Sequence, residues 1–222
     1  MKLTTLLGAL LYPEKCVLCG RLLRRGETDL CRQCRIDQPL CGGSGRKYPY
    51  LDSWTALWEY RGPVRASLHR YKFGGRRSYA ESYARMLAMQ LLNRPVQADV
   101  MTWVPISEKR RRSRGFDQSE LLARKLEPLL GIPTAQLLWK RRDTPRQSRI
   151  SGSAQRRANV LGAYEAIEVE LLRGKRVLLL DDILTTGATA GECARILLSA
   201  GATEVHFAAV AAVNRKNQNR KV

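Results

Sequence analysis

The sequence predicts an α/β fold with a largely parallel core sheet, preceded by a small cysteine-rich lobe. Segments with strand and helix character alternate through most of the 222 residues, as they do in parallel sheets. The apolar run at residues 177–180 stops at the acids Asp181 and Asp182, and a turn rich in Thr and Gly then leads into a helical pattern. Two Cys-x2-Cys pairs near the N-terminus indicate that the lobe is stabilised by a metal ion.

The core elements follow one another in a regular order. We expect strands at residues 53–60, 99–104, 160–167, 177–180 and 205–213, and helices at residues 63–71, 78–92, 115–130 and 188–200. The helix at 78–92 rests on apolar side chains at helical spacing, among them Tyr79, Tyr83 and Leu87. Residues 139–157 show no periodicity and carry many charges, which predicts a long mobile loop.

The first residues of the chain are apolar after a single lysine. Residues 3–12 predict a short packing helix, because no small-residue cleavage site of a signal peptide follows them and a cysteine pair comes at once. No apolar run reaches the roughly 18 to 20 residues that a membrane-spanning helix needs. We therefore expect a cytoplasmic protein.

The chain is strongly basic, with a net charge of +19, which favours anionic partners. Residues 104–157 hold 14 Lys and Arg against 5 Asp and Glu, and the densest run is residues 109–114. These arginines could line a pyrophosphate pocket, since the guanidinium group suits phosphate geometry. They could also contact a nucleic-acid backbone. A solvated basic face is the third interpretation.

The cysteine lobe carries Cys16 and Cys19, followed by Cys31 and Cys34. Four thiolates in two such pairs can surround Zn²⁺ tetrahedrally and leave no position open for water, which predicts a structural zinc site. Disulfides or free thiols are the alternative, and the absence of an export signal disfavours disulfides. The Gly-rich polar segment 42–49 marks a boundary, so the predicted domains are a zinc-binding lobe at 1–47 and a main domain at 48–222.

The turn after the acid pair has the chemistry of a phosphate site. Backbone N–H groups at the start of the next helix can hold a phosphate, and Gly187 allows a close approach. Hydroxyl groups are available from Thr185, Thr186 and Thr189, and Ala188 begins the helix. The acids would repel a phosphate, so we assign them to a sugar diol or a Mg²⁺ ion. Phosphate, diol and metal together describe a ribose 5-phosphate, and more narrowly phosphoribosyl pyrophosphate (PRPP). A strand ending in two solvated acids before an ordinary turn is the alternative.

These residues resemble the PRPP-binding motif of type I phosphoribosyltransferases, and further motifs narrow the resemblance. The order is Tyr71-Lys72-Phe73-Gly74-Gly75-Arg76, Val104-Pro105, Arg110, Arg114-Gly115-Phe116-Asp117-Gln118, Gln147-Ser148, Arg156-Arg157, Asn159-Val160 and Gly162-Ala163-Tyr164. This order resembles the ComF/GntX family, which is linked to natural competence and the use of external DNA. The resemblance covers nearly the whole chain, from Cys16 to about Val213.

The resemblance implies a type I phosphoribosyltransferase-like core with a zinc-ribbon-like lobe in front of it. It implies that Asp181 and Asp182 hold the ribose hydroxyls or the Mg²⁺ shell as the catalytic acids, and that residues 185–189 fix the 5-phosphate. The turn at Pro105, Ile106 and Ser107 would be the pyrophosphate loop, and residues 141–149 the flexible loop that closes over the site. Relatives often carry a second thiol where this chain has Ser44, which leaves Cys41 without an assigned role.

No residue that would handle an acceptor can be named from the sequence. Two hypotheses follow: an active phosphoribosyltransferase, that is, a glycosyltransferase involved in DNA uptake or use, and a non-catalytic PRPP-responsive module. A third interpretation is a zinc-dependent module that binds single-stranded DNA and has a vestigial pocket. Competence or DNA-processing proteins are the expected protein partners.

Overall fold

The computed structural model of the protein describes residues 14–41, 46–144 and 153–213. The predicted helix at 3–12, the position of Ser44 and most of the predicted flexible loop lie outside these residues. The helices are α1 (Arg32–Asp37), α2 (Gly62–Phe73), α3 (Tyr79–Asn93), α4 (Glu108–Arg114), α5 (Gln118–Leu130), α6 (Ser153–Val160) and α7 (Ala188–Ser199). The strands are β1 (Ser53–Glu59), β2 (Val100–Trp103), β3 (Leu138–Lys140), β4 (Tyr164–Ala166), β5 (Arg176–Leu184) and β6 (Glu204–Ala212), and a short 3-10 helix spans Val169–Leu171.

The core is a four-stranded parallel sheet in the order β1-β6-β5-β2. Its central strands are apolar on both faces, because helices cover both of them. On one face, Leu178 and Leu180 pack with side chains of α2, α3 and α5. On the other face, Val177 and Leu179 pack with α7. The predicted parallel α/β core is therefore confirmed.

Strand β5 is longer than its apolar run. Its pairing with β6 continues through Asp181 opposite Ala209 to Leu184 opposite Ala212, so the acids lie within the strand. The predicted end of the strand at residue 180 is wrong, because backbone pairing depends on a neighbouring strand and not on side-chain polarity.

Two further boundaries differ from the sequence prediction. The segment 139–157 is not wholly a loop, since it contains part of β3 and most of α6, and β3 pairs with β4 in a separate antiparallel sheet. The helix predicted at 115–130 is α5 at residues 118–130, and a separate helix, α4, precedes it at residues 108–114. Gly115 ends α4 with a φ of +75°, and Asp117 caps the start of α5.

The cysteine lobe packs directly on the main domain. The carbonyl of Leu18 accepts a hydrogen bond from Arg70 Nη2 at 2.5 Å, and Ser67 Oγ donates to the carbonyl of Val17. Arg85 on α3 forms an ion pair with Asp29. Because Cys16 and Val17 belong to the same buried cluster as Leu68 and Tyr83, the lobe shares the core of the sheet domain.

Candidate functional site

The acid pair lies at the carboxyl end of β5, and a different part of the protein holds each acid. Asp181 Oδ1 accepts hydrogen bonds from Ser119 Oγ at 2.9 Å and from the backbone N–H of Asp182 at 2.8 Å. Asp182 Oδ2 forms an ion pair of 2.7 Å with Lys72 Nζ. Ser119 comes from α5 and Lys72 from α2, so the fold brings three distant segments together at this strand end.

The carboxyl group of Asp181 has a high proton affinity. Burial and the negative charge of Asp182 raise its pKa to about 7, while Lys72 and the hydrogen bond from Ser119 oppose the shift. A bound cation would lower the pKa of Asp181, because a cation is often the largest local charge in such a site.

The turn after β5 has a geometry that only glycine provides. Gly187 precedes α7 with a φ of +81°, and a Cβ at this position would lie 2.0 Å from a ring atom of Tyr48. The backbone N–H of Ala188 points to Thr186 Oγ1 at a long 3.4 Å. Thr185, Thr186 and Thr189 are half-buried. The turn therefore places hydroxyl and N–H groups at the N-terminus of a three-turn helix, where the helix dipole favours anions.

The turn after β2 stands beside the acid pair, because β2 and β5 are adjacent strands. Trp103 lies opposite Leu180, and the N–H of Val104 donates to the carbonyl of Leu180 at 2.9 Å. Ser107 caps α4 and donates its hydroxyl to Asp143 Oδ1 at 2.6 Å. Hydrogen bonding to this hydroxyl lowers the pKa of Asp143. Ile106 and Ser107 are thus held at the same edge of the sheet as Asp181.

Most arginines of the basic helix α4 contact other residues of the protein. Arg110 forms an ion pair with Asp143 at 3.5 Å and donates to the carbonyl of Thr144. Arg111 pairs with Glu120, and the guanidinium of Arg114 lies 4.8 Å from the ring centroid of Phe73. Arg110 therefore faces the turn at Ser107, which favours the pocket interpretation for this residue.

A buried lysine lies near the same edge. Lys140 on β3 is 8% exposed, and its Nζ lies 3.0 Å from the hydroxyl of Tyr164 on β4. Burial, and then the positive charge of Arg110, lower the pKa of Lys140 to about 8. The sequence gives no sign that Lys140 is buried, since it is a lysine in a charged segment.

The four cysteines of the lobe converge as predicted. The Sγ atoms of Cys16, Cys19, Cys31 and Cys34 all lie within 4.8 Å of one another. Cys19 Sγ and Cys31 Sγ are 3.8 Å apart, close to the separation of about 3.8 Å that two thiolates have on a tetrahedral ion with metal–sulfur bonds of about 2.3 Å. Gly20 forms the tight turn after the first pair with a φ of +79°. These side chains can hold a metal ion in a closed site.

Comparisons with known proteins agree with this architecture. The family model described as a phosphoribosyl transferase domain matches residues 113–222. DNA utilization protein YhgH of Escherichia coli O157:H7 is 30% identical over 201 residues, covering 86% of this chain and 86% of that protein. YhgH of Salmonella typhimurium is 31% identical with the same coverage. This chain belongs to the ComF family. Competence protein F of Haemophilus influenzae is also similar to it, with 26% identity over 86% of this chain and 93% of that protein.

Among solved structures, this ComF-family chain is similar to glutamine PRPP amidotransferase from B. subtilis, with a TM-score of 0.44 and 29% identity. The match covers 63% of this chain and 30% of that one, so it spans less than a third of the solved chain. Within the described residues, no helix of the ComF-family protein is long and apolar enough to cross a membrane.

The family motifs meet around the acid pair. In the Arg-Gly-Phe-Asp-Gln block, Asp117 accepts the N–H groups of Ser119 and Glu120 at 3.0 and 3.3 Å, and that of Ile106 at 2.9 Å. Tyr71, from the Tyr-Lys-Phe-Gly-Gly-Arg block, donates its hydroxyl to the carbonyl of Gln118 at 2.7 Å. These blocks of the ComF-family chain therefore hold α2, α5 and the turn at Ile106 in place around β5.

Lys72, Asp117 and Ser119 lie at the site but are not among the site residues predicted from the sequence. One signal was available for Asp117, because Asp followed three residues later by Glu120 is typical of a helix start. Lys72 and Ser119 carry no such signal. Their partners, Asp182 and Asp181, are 110 and 62 residues away in the sequence, and only the fold of this ComF-family chain brings them together.

Proposed function

We propose that the protein binds PRPP together with Mg²⁺ at the carboxyl edge of β5 and β2. The observation that carries this proposal is the juxtaposition of the acid pair with two turns that precede helices, one at residues 185–189 before α7 and one at residues 105–107 before α4. Hydrogen-bond donors for one phosphate group alone would fit many ligands. Here a turn suited to phosphate lies beside two carboxylates and a second turn. This combination fits a sugar diol that has phosphate groups on both sides.

In this proposal each segment takes one part of PRPP. The N–H and hydroxyl groups of Thr185, Thr186, Gly187, Ala188 and Thr189 hold the 5-phosphate. Asp181 and Asp182 accept the ribose hydroxyls. Ile106 and Ser107 hold the pyrophosphate, and the guanidinium of Arg110 beside them supplies positive charge. The 141–149 segment is the proposed covering loop, and its described part reaches Ser107 through Asp143.

We propose phosphoribosyl transfer as the reaction, with Asp181 and Asp182 as its acids. The bond between ribose C1 and pyrophosphate would break while a base or amine acceptor forms a bond to C1, so positive charge gathers on the sugar and negative charge on the leaving pyrophosphate. The two carboxylates would stabilise the sugar, while Arg110 and the N–H group of Ser107 would stabilise the pyrophosphate. Mg²⁺ would supply charge neutralisation on the leaving group.

We propose zinc as the metal of the cysteine lobe. Four thiolates that can close around one ion are typical of structural zinc sites and leave no position for a reacting water. A lobe at residues 1–47 in front of a domain at residues 48–222 is too small to be stable alone, so the ion would contribute much of its folding free energy. Thiolate ligands also favour a reducing compartment, and we therefore place the protein in the cytoplasm.

The relatives named for DNA utilization and competence support a role for this chain in the use of external DNA. A second candidate function is a PRPP-responsive or zinc-dependent module that binds single-stranded DNA without transferring a ribosyl group. The exposed side chains of Lys109 and Arg112 on α4 and the net charge of +19 favour it. Competence or DNA-processing proteins are the proposed protein partners.

Calorimetric titration with PRPP and Mg²⁺ tests the binding proposal. We expect the wild-type protein to bind and the Asp181→Ala/Asp182→Ala double variant to lose binding, while Glu170→Ala, an exposed acid on the 3-10 helix, binds normally. No heat of binding at saturating PRPP would refute the site. Pyrophosphate release from the same sample in the presence of candidate bases or amines would favour the enzyme, and its absence together with salt-sensitive DNA binding would favour the module.

A further inference from the structure

Each acid of the pair has one oxygen held by the protein and one oxygen without a hydrogen-bond partner among the described residues. Asp181 Oδ1 is taken by Ser119 Oγ and by the N–H of Asp182. Asp182 Oδ2 is taken by Lys72 Nζ. Within the described parts of the chain, Asp181 Oδ2 and Asp182 Oδ1 accept no hydrogen bond. Each of the two adjacent carboxylates thus has a single oxygen left to bind a ligand.

A carboxylate that is held through one oxygen has a fixed direction for the other, because the group is planar and its torsion is set by the first bond. Two fixed acceptors on neighbouring residues suit two neighbouring hydroxyl groups. A carboxylate without such support would rotate and would lose part of the geometry that a diol requires. Binding of a diol therefore depends on the residues that hold the two acids as well as on the acids themselves.

The two residues that hold the acids, Ser119 and Lys72, lie on helices that are hydrogen-bonded to each other. Ser119 is 2% exposed at the start of α5, where the capping bonds from Asp117 fix the first turn. Lys72 lies near the end of α2, and the preceding residue, Tyr71, donates its hydroxyl to the carbonyl of Gln118, next to Ser119. The hydroxyl of Ser119 and the ammonium of Lys72 consequently reach the acid pair from two helices that hydrogen-bond to each other.

Lys72 has a second effect through its charge. Two ionised carboxylates side by side would repel an anionic ligand, and the ammonium at 2.7 Å leaves this trio with one net negative charge when both acids are ionised. The side chain of Lys72 is only 20% exposed, so water screens this interaction incompletely.

We propose that Ser119 and Lys72 are positioning residues that aim Asp181 and Asp182, respectively, at the two hydroxyl groups of a ribose 5-phosphate. This inference rests on the proposed function, since it assigns supports to the same acids. The preference for a sugar with both hydroxyl groups over a deoxy sugar then depends on two side chains outside the PRPP-binding turn. A structural role alone would predict that their loss weakens all phosphorylated sugars equally.

The test compares ribose 5-phosphate with its 2-deoxy and 3-deoxy forms by calorimetry on wild-type protein, Ser119→Ala and Lys72→Met. We expect the wild-type protein to prefer the full diol by at least about tenfold over either deoxy sugar. Each variant should lose the preference against one of the two deoxy sugars, and the two variants should lose different ones. Lys72→Arg should recover part of the preference, because it restores a donor with a positive charge.

Controls separate this inference from the binding proposal. Ser113→Ala and Lys125→Met change exposed residues of α4 and α5 and should keep the wild-type preference. If the wild-type protein binds none of the three sugars and no PRPP, the proposed function fails. If the wild-type protein prefers the diol and both variants keep that preference, the proposed function stands and the positioning role of Ser119 and Lys72 is refuted. Thermal melting of each variant shows whether it is folded at the titration temperature.

Discussion

The carboxylate of Asp117 accepts the backbone N–H of Ile106 at 2.9 Å while it caps helix α5. One buried side chain therefore fixes both the turn after β2 and the first turn of the helix that carries Ser119. Burial raises the pKa of Asp117, and the three N–H groups that it accepts oppose this shift. The residue joins the proposed pyrophosphate turn to the support of the acid pair, so both depend on it.

Replacing Asp117 by Ala should reduce both stability and PRPP binding. Loss of the cap costs about 1 kcal/mol, and the unpaired N–H groups of Ile106 and Ser119 add to that cost. Urea denaturation measures the first effect and PRPP titration the second. Asp117→Asn keeps one acceptor oxygen and should lie between Ala and the wild type. Unchanged PRPP affinity in a folded Asp117→Ala protein would contradict the link between the two turns.

Gly187→Ala should destabilise the turn before α7. The φ of +81° disfavours any residue with a Cβ by about 1 kcal/mol, and the new methyl group would overlap the ring of Tyr48. We expect a total loss of at least about 2 kcal/mol, because overpacking adds its own cost. A double-mutant cycle with Tyr48→Ala separates the two terms. The overlap term should vanish in the double variant, whereas the backbone term should remain.

The titration of Asp181 should make the stability of the protein depend on pH. Burial and the charge of Asp182 raise its pKa to about 7, against the opposing charge of Lys72, whereas an Asp in an unfolded chain has a pKa of about 3.9. The native state therefore binds more protons than the unfolded state between these values. Stability contributed by protonated Asp181 is complete below about pH 4 and is lost as pH rises towards 7.

Asp181→Asn removes this titration while keeping the shape of the side chain. The variant should gain stability relative to the wild type as pH rises from about 4 to about 7, and the difference should then level off. Melting temperatures measured across this range show the trend. PRPP binding with Mg²⁺ should strengthen over the same rise in the wild type, because the ionised carboxylate is the form that a cation or diol favours. A flat difference between the two proteins would contradict the raised pKa.

Removal of metal should unfold or loosen the cysteine lobe. Metal analysis should find about one equivalent of zinc, and a chelator should lower the melting temperature. Cys19→Ser should lose the metal, whereas Cys41→Ser, which lies outside the four-cysteine cluster, should retain it. Because the lobe shares a core with α2 and α3, we expect the chelator to destabilise the main domain as well. Less than about half an equivalent of metal in freshly purified protein would exclude a zinc site.

Much of the fold can be predicted because its signals are local. The alternation of apolar runs and helical patterns predicts β1, α2, α3, β2, α7 and β6 to within a few residues. The helix α4 is missed because its sequence, Glu108–Arg114, has no apolar face, and its caps at Ser107 and Gly115 are its main signals. The strand β3 is missed because three residues carry too little pattern to distinguish a strand from a loop.

By itself, the sequence determined which chemical groups the site contains: two acids, a turn rich in Thr and Gly before a helix, and four cysteines at zinc-ligand spacing. Motif spacing determines these features because the participating residues are neighbours along the chain. Only the tertiary structure decided that Lys72 pairs with Asp182, that Ser119 holds Asp181, and that Tyr48 covers Gly187. These contacts join residues far apart in sequence, and they exist because α2, the start of α5 and the segment before β1 pack around the carboxyl end of β5.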